Sequence, residues 1–228
     1  MWDEIAFAFG MYLLGSFPLM YLMGRRRGVD LREYEDSHIA LWRNVGRVEG
    51  FIGVVFDFAK GVIAVLVARE VMNFTPGWVA IAGVAAVAGQ MWPVFLKFDG
   101  EKGNSTGLAM SGALATYAML IVLVPVTIGF AVRTIPRFRQ SEQTVEEKLK
   151  FGGPPSLSLP LGMAVAFAVL PLAAWLVGQP WQVCVVLAAL FVLIMIRRLT
   201  AGLSEDMGKS SWNNGMLVNR LLFDRSEI

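Results

Sequence analysis

Two residue types that carry much protein chemistry are nearly missing from the sequence. Among its 228 residues there is one cysteine, Cys184, and one histidine, His38. A single cysteine excludes an intrachain disulfide, and Cys184 lies in an apolar run where packing is its ordinary role. His38 is then the one histidine that could act as a base or proton shuttle, because an unperturbed imidazole has a pKa near 6.5. The alternative is a polar surface residue without a chemical role.

Charge is also scarce. Charged residues make up 17% of the chain and hydrophobic residues 56%, which is too apolar for an ordinary soluble domain of this length. Apolar runs of about 18 or more residues are candidate membrane spans. Such runs begin near Ile5, Phe51, Trp78, Gly107, Leu159 and Trp181. We therefore predict an all-α polytopic integral membrane protein, whose first run is a retained helix and not a cleaved signal peptide.

The placement of basic residues predicts the topology, because Lys and Arg concentrate in cytoplasmic segments. Residues 24–50 carry six arginines and are placed in the cytoplasm, which puts the N-terminus outside. If 107–132 were one long helix, the basic residues after it would lie outside. Two short helices, with a break between Tyr117 and Pro125, return those residues to the cytoplasm. We prefer this arrangement, with about seven helical pieces, the fourth and fifth short, and a cytoplasmic C-terminus.

The predicted organisation is a single membrane domain over residues 1–228. Its cytoplasmic parts are two loops expected to carry the site (24–50 and 97–107), a polar insertion (133–158) and a tail (197–228).

Charged residues inside membrane helices are functional candidates by default. Asp57 and Lys60 are three residues apart on one predicted helix, so they share a face and can pair. They are either site residues or an ion pair at the helix end with Lys60 reaching the headgroups. Arg47 is a candidate phosphate clamp, since its guanidinium matches two phosphate oxygens.

A small Gly-Lys-Gly loop lies between two apolar segments. Gly100 and Gly103 let the backbone approach a ligand closely, and Lys102 adds positive charge. Thr106 and Gly107 open a helix whose free N–H groups favour an anion. The order of residues is not that of a nucleotide-binding P-loop. The loop is either a phosphate site or a flexible turn whose lysines contact lipid headgroups.

Five segments carry motif-like patterns in order along the chain. They read GSFPLMYLMGRRRGVDLR (15–32), DSHIALWRNVGRVEG (36–50), FDFAKG (56–61), GQMWPVFLKFDGEKGNSTG (89–107) and NGMLVNRLL (214–222). In this order they resemble the bacterial acyl-phosphate:glycerol-3-phosphate acyltransferases, the PlsY family, of which the chain is identified as a divergent member. The resemblance implies a seven-helix membrane fold with the N-terminus outside and the C-terminus in the cytoplasm.

The sequence departs from the family pattern at several site positions. His38 and Ile39 stand where the family usually has Gly and Asn, Gln90 replaces a His, and Glu101 replaces the second Gly of Gly-Gly-Lys-Gly. Near the C-terminus, Asn214 and Leu217 occupy the places of a His and an Asn, while Arg220 is kept. After the insertion, Ser156 or Ser158 could match a family serine.

The resemblance implies transfer of a fatty acyl group from acyl phosphate to the sn-1 hydroxyl of glycerol 3-phosphate. The products would be lysophosphatidic acid and phosphate, at the cytoplasmic face of the plasma membrane. The implied partners are these two substrates and the lipid bilayer, with no nucleic acid, no cofactor and no metal, and the oligomeric state is open. A catalytically degenerate paralogue that binds phosphorylated lipid precursors or a partner enzyme is the alternative.

The residues carried over from the family fall into three groups. Those predicted to be catalytic are Ser37, His38, Arg47 and Lys102. Those predicted to bind substrate phosphate are Asn44, Arg47, Lys60, Gly100, Lys102, Gly103 and Thr106. Those predicted to support the site are Asp57, Ser156, Asn214 and Arg220.

Overall fold

The computed structural model describes residues 2–34, 36–138, 157–208 and 215–225, and these residues are mostly helical. Within those ranges, six helices are long and apolar enough to cross a membrane. They are Trp2–Arg26, Arg47–Val71, Pro76–Leu96, Thr116–Phe138, Ser158–Leu176 and Trp181–Thr200. The predicted all-α polytopic membrane fold is confirmed. The described residues belong to two compact units, the first ending at Leu114 and the second beginning at Ala115.

The first unit contains six helices. They are α1 (Trp2–Ser16), α2 (Leu19–Arg26), α3 (Ser37–Asn44), α4 (Arg47–Leu66), α5 (Pro76–Met91) and α6 (Asn104–Leu114). Pro18 separates α1 from α2, because proline lacks the N–H that a continuous helix needs. A π-helical turn, Val67–Val71, extends α4. Asp36 caps α3, and its side chain accepts a hydrogen bond from the Ile39 N–H at 3.1 Å.

Among its described residues, the second unit contains five helices. They are α7 (Thr116–Phe138), α8 (Ser158–Leu176), α9 (Trp181–Thr200), α10 (Leu203–Met207) and α11 (Gly215–Phe223). Arg198 is buried, and its guanidinium donates to the carbonyls of Pro160 in α8 and Leu221 in α11, at 3.2 and 3.1 Å. Arg198 therefore ties the last described helix to the membrane-spanning helices of its unit.

The predicted break within residues 107–132 is real but lies earlier than expected. Helix α6 ends at Leu114 and α7 begins at Thr116, before the window of Tyr117 to Pro125. The fourth piece is short, but the prediction that the fifth is also short was wrong, since α7 has 23 residues and continues through Pro125. Helix α7 runs to Phe138 and α9 to Thr200, so the predicted insertion and tail begin within helices.

Glycines allow the helices of the first unit to pack backbone against backbone. A Cβ added at Gly15 of α1 would lie 2.0 Å from the Ala86 carbonyl oxygen of α5, and one at Gly89 of α5 would lie 2.1 Å from that of Tyr12. At the crossing of α4 and α6, a Cβ on Gly61 would lie 2.4 Å from the Thr106 carbonyl oxygen. Side chains larger than hydrogen are excluded at these crossings, as at the small-residue interfaces typical of membrane helices.

Substitution of Gly15 with alanine tests this packing. The added methyl group must push α1 away from α5, and overpacking of this kind costs about 1–3 kcal/mol. We expect Gly15→Ala to lower the midpoint of thermal unfolding in detergent micelles. Gly10→Ala, on the same helix, is the matched control, because a Cβ at Gly10 meets no atom within 4 Å. Equal midpoints for the two variants would contradict the close crossing.

Candidate functional site

Helix α4 carries a buried ion pair on the face directed into the first unit. The Lys60 ammonium donates to Asp57 Oδ1 at 3.0 Å, and the two side chains are 5% and 2% exposed. The Lys60 nitrogen also lies over the Phe56 ring, 4.9 Å from its centre. The pair is fully buried, which excludes the interpretation of an exposed pair with Lys60 extended to the headgroups.

His38 adds a second ion pair next to the first. Its Nε2 lies 3.3 Å from Asp57 Oδ2 and 3.3 Å from Glu101 Oε2. The side chains of His38 and Glu101 are 12% and 15% exposed. Three separate parts of the chain thus contribute to one cluster of charges: α3, α4 and the loop before α6. We call Asp57, Lys60, His38 and Glu101 the charge cluster.

The loop that carries Glu101 is anchored on the end of α5. The Glu101 N–H donates to the Gln90 carbonyl at 3.1 Å, and the Gln90 side-chain amide donates to Glu101 Oε2 at 3.3 Å. The Gly100 N–H donates to the Met91 carbonyl at 3.2 Å, and a Cβ on Gly100 would lie 2.3 Å from the Gln90 carbonyl oxygen. Glycine at 100 is therefore needed for the loop to fold back onto α5, which brings Glu101 to His38.

The electrostatics of the cluster favour a charged histidine. Burial acts to lower the pKa of His38, but the charge of Glu101, the hydrogen bond to it, and the charges of Asp57 and Asp36 raise the pKa to about 9. Burial acts to raise the pKa of Glu101, but the charge of His38 and the hydrogen bond to it hold that pKa below its ordinary value. An imidazolium cannot accept a proton, so this state disfavours His38 as a general base at neutral pH.

Two further predicted site residues lie near the cluster. Ser37 is the first residue of α3, and its Oγ is 3.3 Å from the Tyr21 hydroxyl. The buried Thr106 hydroxyl donates to the Asp57 carbonyl at 2.8 Å, which fixes α6 against α4. Tyr21, Asp57, Lys60 and Glu101 also line a small cleft, partly open to solvent, near the break between α1 and α2.

The remaining residues predicted to bind phosphate include two cations, which occupy more accessible positions than Lys60. Arg47 is exposed at the first turn of α4, and Asn44 is exposed at the last residue of α3. Lys102 is half-buried in the loop beside Glu101, and Gly103 has a φ of +74°, which favours glycine. These residues belong to the segments that hold the charge cluster.

Three other residues were predicted to support the site. Arg220 lies in the second unit, where its guanidinium donates to the Asp206 carboxylate and to the Leu199 carbonyl, a contact that stabilises α11. Ser156 and Asn214 lie outside the described residues. Their supporting roles stay predictions.

His38, Asp57 and Glu101 lie close enough to suggest a cation site. Each offers one ligand atom, and these atoms lie within 4.8 Å of one another. However, the ammonium of Lys60 already contacts Asp57, and the protonated ring of His38 supplies positive charge to both carboxylates. We interpret the cluster as a network of ion pairs.

Sequence reasoning identified His38 and Lys60 but gave Glu101 and Gln90 no part in the site. The sequence showed Glu101 only as a departure from the family glycine. One signal could have indicated a role for Glu101. A histidine and a glutamate each replace a glycine of the family pattern, and the structure places these two residues in contact.

Removal of the Asp57 carboxylate tests how much the buried ion pair contributes to the stability of the fold. Asp57→Asn would leave the Lys60 ammonium buried without its carboxylate, a change that costs about 3–5 kcal/mol. We expect a lower midpoint of thermal unfolding in detergent micelles. Glu70→Gln is the control, since Glu70 lies on the π-helical turn that extends α4 and its side chain is 64% exposed. Loss of the Glu70 charge should cost about 0–1 kcal/mol of folding free energy. Equal changes of the unfolding midpoint in the two variants would contradict the argument from burial.

Comparisons with known proteins agree on one family. A model of the family described as glycerol-3-phosphate acyltransferase matches residues 5–203. Glycerol-3-phosphate acyltransferase 4 of Dehalococcoides mccartyi is 30% identical over 226 residues, which cover 94% of this chain and 85% of that protein. Glycerol-3-phosphate acyltransferase of Geobacter metallireducens is 40% identical over 121 residues, which cover 52% of this chain and 62% of that protein. The match thus spans less than two thirds of the Geobacter relative.

Two solved structures share the fold. Both are crystal structures of PlsY (YgiH), an integral membrane glycerol 3-phosphate acyltransferase. The glycerol 3-phosphate form superposes with a TM-score of 0.70 over 99% of this chain and 94% of that chain, at 22% identity. The lysophosphatidic acid form gives 0.67 over 86% and 88%, also at 22% identity. With the family match over residues 5–203 and the Dehalococcoides relative, these findings show that the chain belongs to the glycerol-3-phosphate acyltransferase family.

Proposed function

We propose that the protein transfers a fatty acyl group from acyl phosphate to the sn-1 hydroxyl of glycerol 3-phosphate, at the cytoplasmic face of the plasma membrane. The observation that carries the proposal is the position of the charge cluster, where the Gly-Lys-Gly loop that follows α5 meets Asp57 and Lys60 in the middle of membrane-spanning helix α4. One substrate is a soluble phosphate ester and the other is a lipid. A polar site at the end of one apolar helix and on the side of another is accessible to both.

The reaction needs little from the protein beyond positioning and charge. Acyl phosphate is an activated mixed anhydride. The hydroxyl oxygen of glycerol 3-phosphate attacks the acyl carbon, a new C–O bond forms, the bond from that carbon to the phosphate oxygen breaks, and phosphate leaves. A phosphate oxygen of the substrates takes the hydroxyl proton, so the step does not require a neutral histidine. Holding the two substrates together supplies much of the rate.

Cationic and small polar side chains hold the two phosphates. Arg47 and Lys102 are the proposed clamps, with Ser37, Asn44, Thr106 and the glycine-rich backbone adding donors. Lys60 and Asp57 contribute through the charge cluster, with Lys60 the cation nearest the cleft. Positive groups fixed before the reaction stabilise the charge that develops on the oxygens of the departing phosphate and the attacked carbonyl.

The second candidate is a catalytically degenerate paralogue that binds phosphorylated lipid precursors or a partner enzyme. It is favoured by one observation, the pairing of the single histidine with two carboxylates. Purified protein that binds glycerol 3-phosphate but releases no lysophosphatidic acid from acyl phosphate would support this candidate over the acyltransferase.

The role of Lys102 is tested with labelled glycerol 3-phosphate and acyl phosphate in detergent micelles, with lysophosphatidic acid as the measured product. Loss of a preorganised cation at developing charge should lower kcat/KM by about 100-fold or more in Lys102→Gln. Lys97→Gln, an exposed lysine of the same loop, is the matched control and should keep near-normal activity. Similar activities for both variants would show that the loop lysine is not in the site.

Arg47 is tested in the same assay against another exposed arginine of the same cytoplasmic segment. A clamp on phosphate makes charge-assisted hydrogen bonds that glutamine cannot replace. Arg47→Gln should therefore raise the KM for glycerol 3-phosphate about tenfold or more, while Arg43→Gln should leave it near the wild-type value. An unchanged KM in Arg47→Gln would remove Arg47 from the proposed site.

A further inference from the structure

The two ring nitrogens of His38 have unequal surroundings. Nε2 faces the carboxylates of Asp57 and Glu101 at 3.3 Å each. Nδ1 is buried and has no hydrogen-bond partner. A protonated imidazole carries a hydrogen on both nitrogens, so Nδ1–H is a buried donor without an acceptor. Such a donor is costly unless a bound ligand supplies the missing oxygen.

Negative charge faces His38 from three segments of the chain. Asp36 precedes it at the cap of α3, Asp57 faces it from α4, and Glu101 faces it from the loop before α6. The one cation of the charge cluster besides His38 is Lys60, which is bonded to Asp57. A proton on His38 therefore balances the carboxylate of Glu101, and a neutral ring would remove a positive charge that lies 3.3 Å from that buried carboxylate.

Glu101 is held in place independently of His38. Its N–H donates to the Gln90 carbonyl, and its carboxylate accepts from the Gln90 side-chain amide, so the end of α5 fixes both its backbone and its side chain. The carboxylate is thus fixed in position, and it orients the imidazole ring of His38. An oriented, charged ring with one free donor is suited to binding an anionic oxygen.

We propose that His38 works in its protonated form, donating Nδ1–H to a phosphate oxygen, and that Glu101 is the positioning residue that keeps it charged and oriented. The identity of that phosphate, the glycerol 3-phosphate or acyl phosphate of the reaction, rests on the proposed function. The binding of a phosphate oxygen by His38 does not, since inorganic phosphate offers the same acceptor.

The pH dependence follows from the sign of the pKa shift. The folded protein keeps the His38 proton up to about pH 9, whereas an ordinary imidazole loses it near pH 6.5. The stabilisation from this proton is therefore complete below pH 6.5 and is lost as the pH rises through about 9. Phosphate binding should weaken over the same alkaline range.

The single histidine of the chain makes this testable without turnover. In protein labelled at histidine and purified without a histidine tag, His38 gives the one imidazole signal in the NMR spectrum. We expect its midpoint of titration near pH 9. In Glu101→Gln the midpoint should fall by about 1–3 pH units, the effect of losing a close opposite charge. Glu33→Gln, at an exposed glutamate of the same cytoplasmic segment, should leave the midpoint unchanged.

Inorganic phosphate provides the ligand test in the same samples. It should shift the His38 signal and raise the midpoint in the wild type, with a weaker effect in Glu101→Gln. A wild-type midpoint near 6.5, an unchanged midpoint in Glu101→Gln, or no response to phosphate would overturn the proposal. A spectrum that changes on addition of EDTA would assign the three side chains to a metal ion and would also overturn it.

Kinetics separate this inference from the proposed function. In an active enzyme, Glu101→Gln should raise the KM for glycerol 3-phosphate about tenfold, with a smaller change in kcat, because a charge-assisted contact to bound substrate is weakened. If no lysophosphatidic acid forms but the titrations behave as expected, the acyltransferase proposal fails and the role of His38 stands. If the enzyme is active but His38 titrates near pH 6.5, the acyltransferase proposal stands and the proposed role of His38 fails.

Discussion

Charge pairing away from water is the interaction on which the first unit depends. Asp57 and Lys60 lie on a helix apolar enough to cross a membrane, and each alone would be expensive to keep there. Together with His38 and Glu101 they form a cluster in which each charge lies near an opposite one. The arrangement requires α3 and the loop before α6 to meet on α4, because either segment placed elsewhere would leave a buried charge without its partner. The buried charges thus help to fix the position of these two polar segments on α4, together with the buried Ala40 and Leu41 of α3.

The same cluster explains how a site for anions can contain two carboxylates. A lysine and an imidazolium neutralise Asp57 and Glu101, so the carboxylates hold the cations in position without making the site repel phosphate. The cost is that these cations are tied to fixed partners and cannot move with a substrate. In the proposed site, further positive charge would come from Arg47 and Lys102, which are more accessible to a ligand.

The fold was largely predictable because hydropathy and charge placement act over whole segments. Six apolar runs correspond to six candidate spans among the described residues, and a break is present within 107–132, where the charge pattern predicted one. Its position at Ala115 was missed, since no proline or glycine marks it and Pro125, the apparent signal, is accommodated within α7. The site was less predictable. Asp57 and Lys60 could be paired from their spacing, but the contact of His38 with Glu101 joins residues 63 positions apart, and no local pattern reports it.

The crossing of α1 and α5 has a consequence for how a lipid could reach the site. A Cβ added at Gly15 or Gly89 would lie 2.0 or 2.1 Å from a carbonyl oxygen of the opposite helix. Two backbones in such contact leave no seam wide enough for a hydrocarbon tail. At these crossings, the acyl chain of the proposed donor cannot pass from the bilayer between the two helices. Gly15 and Gly89 thus close this route, and the proposed donor would enter elsewhere.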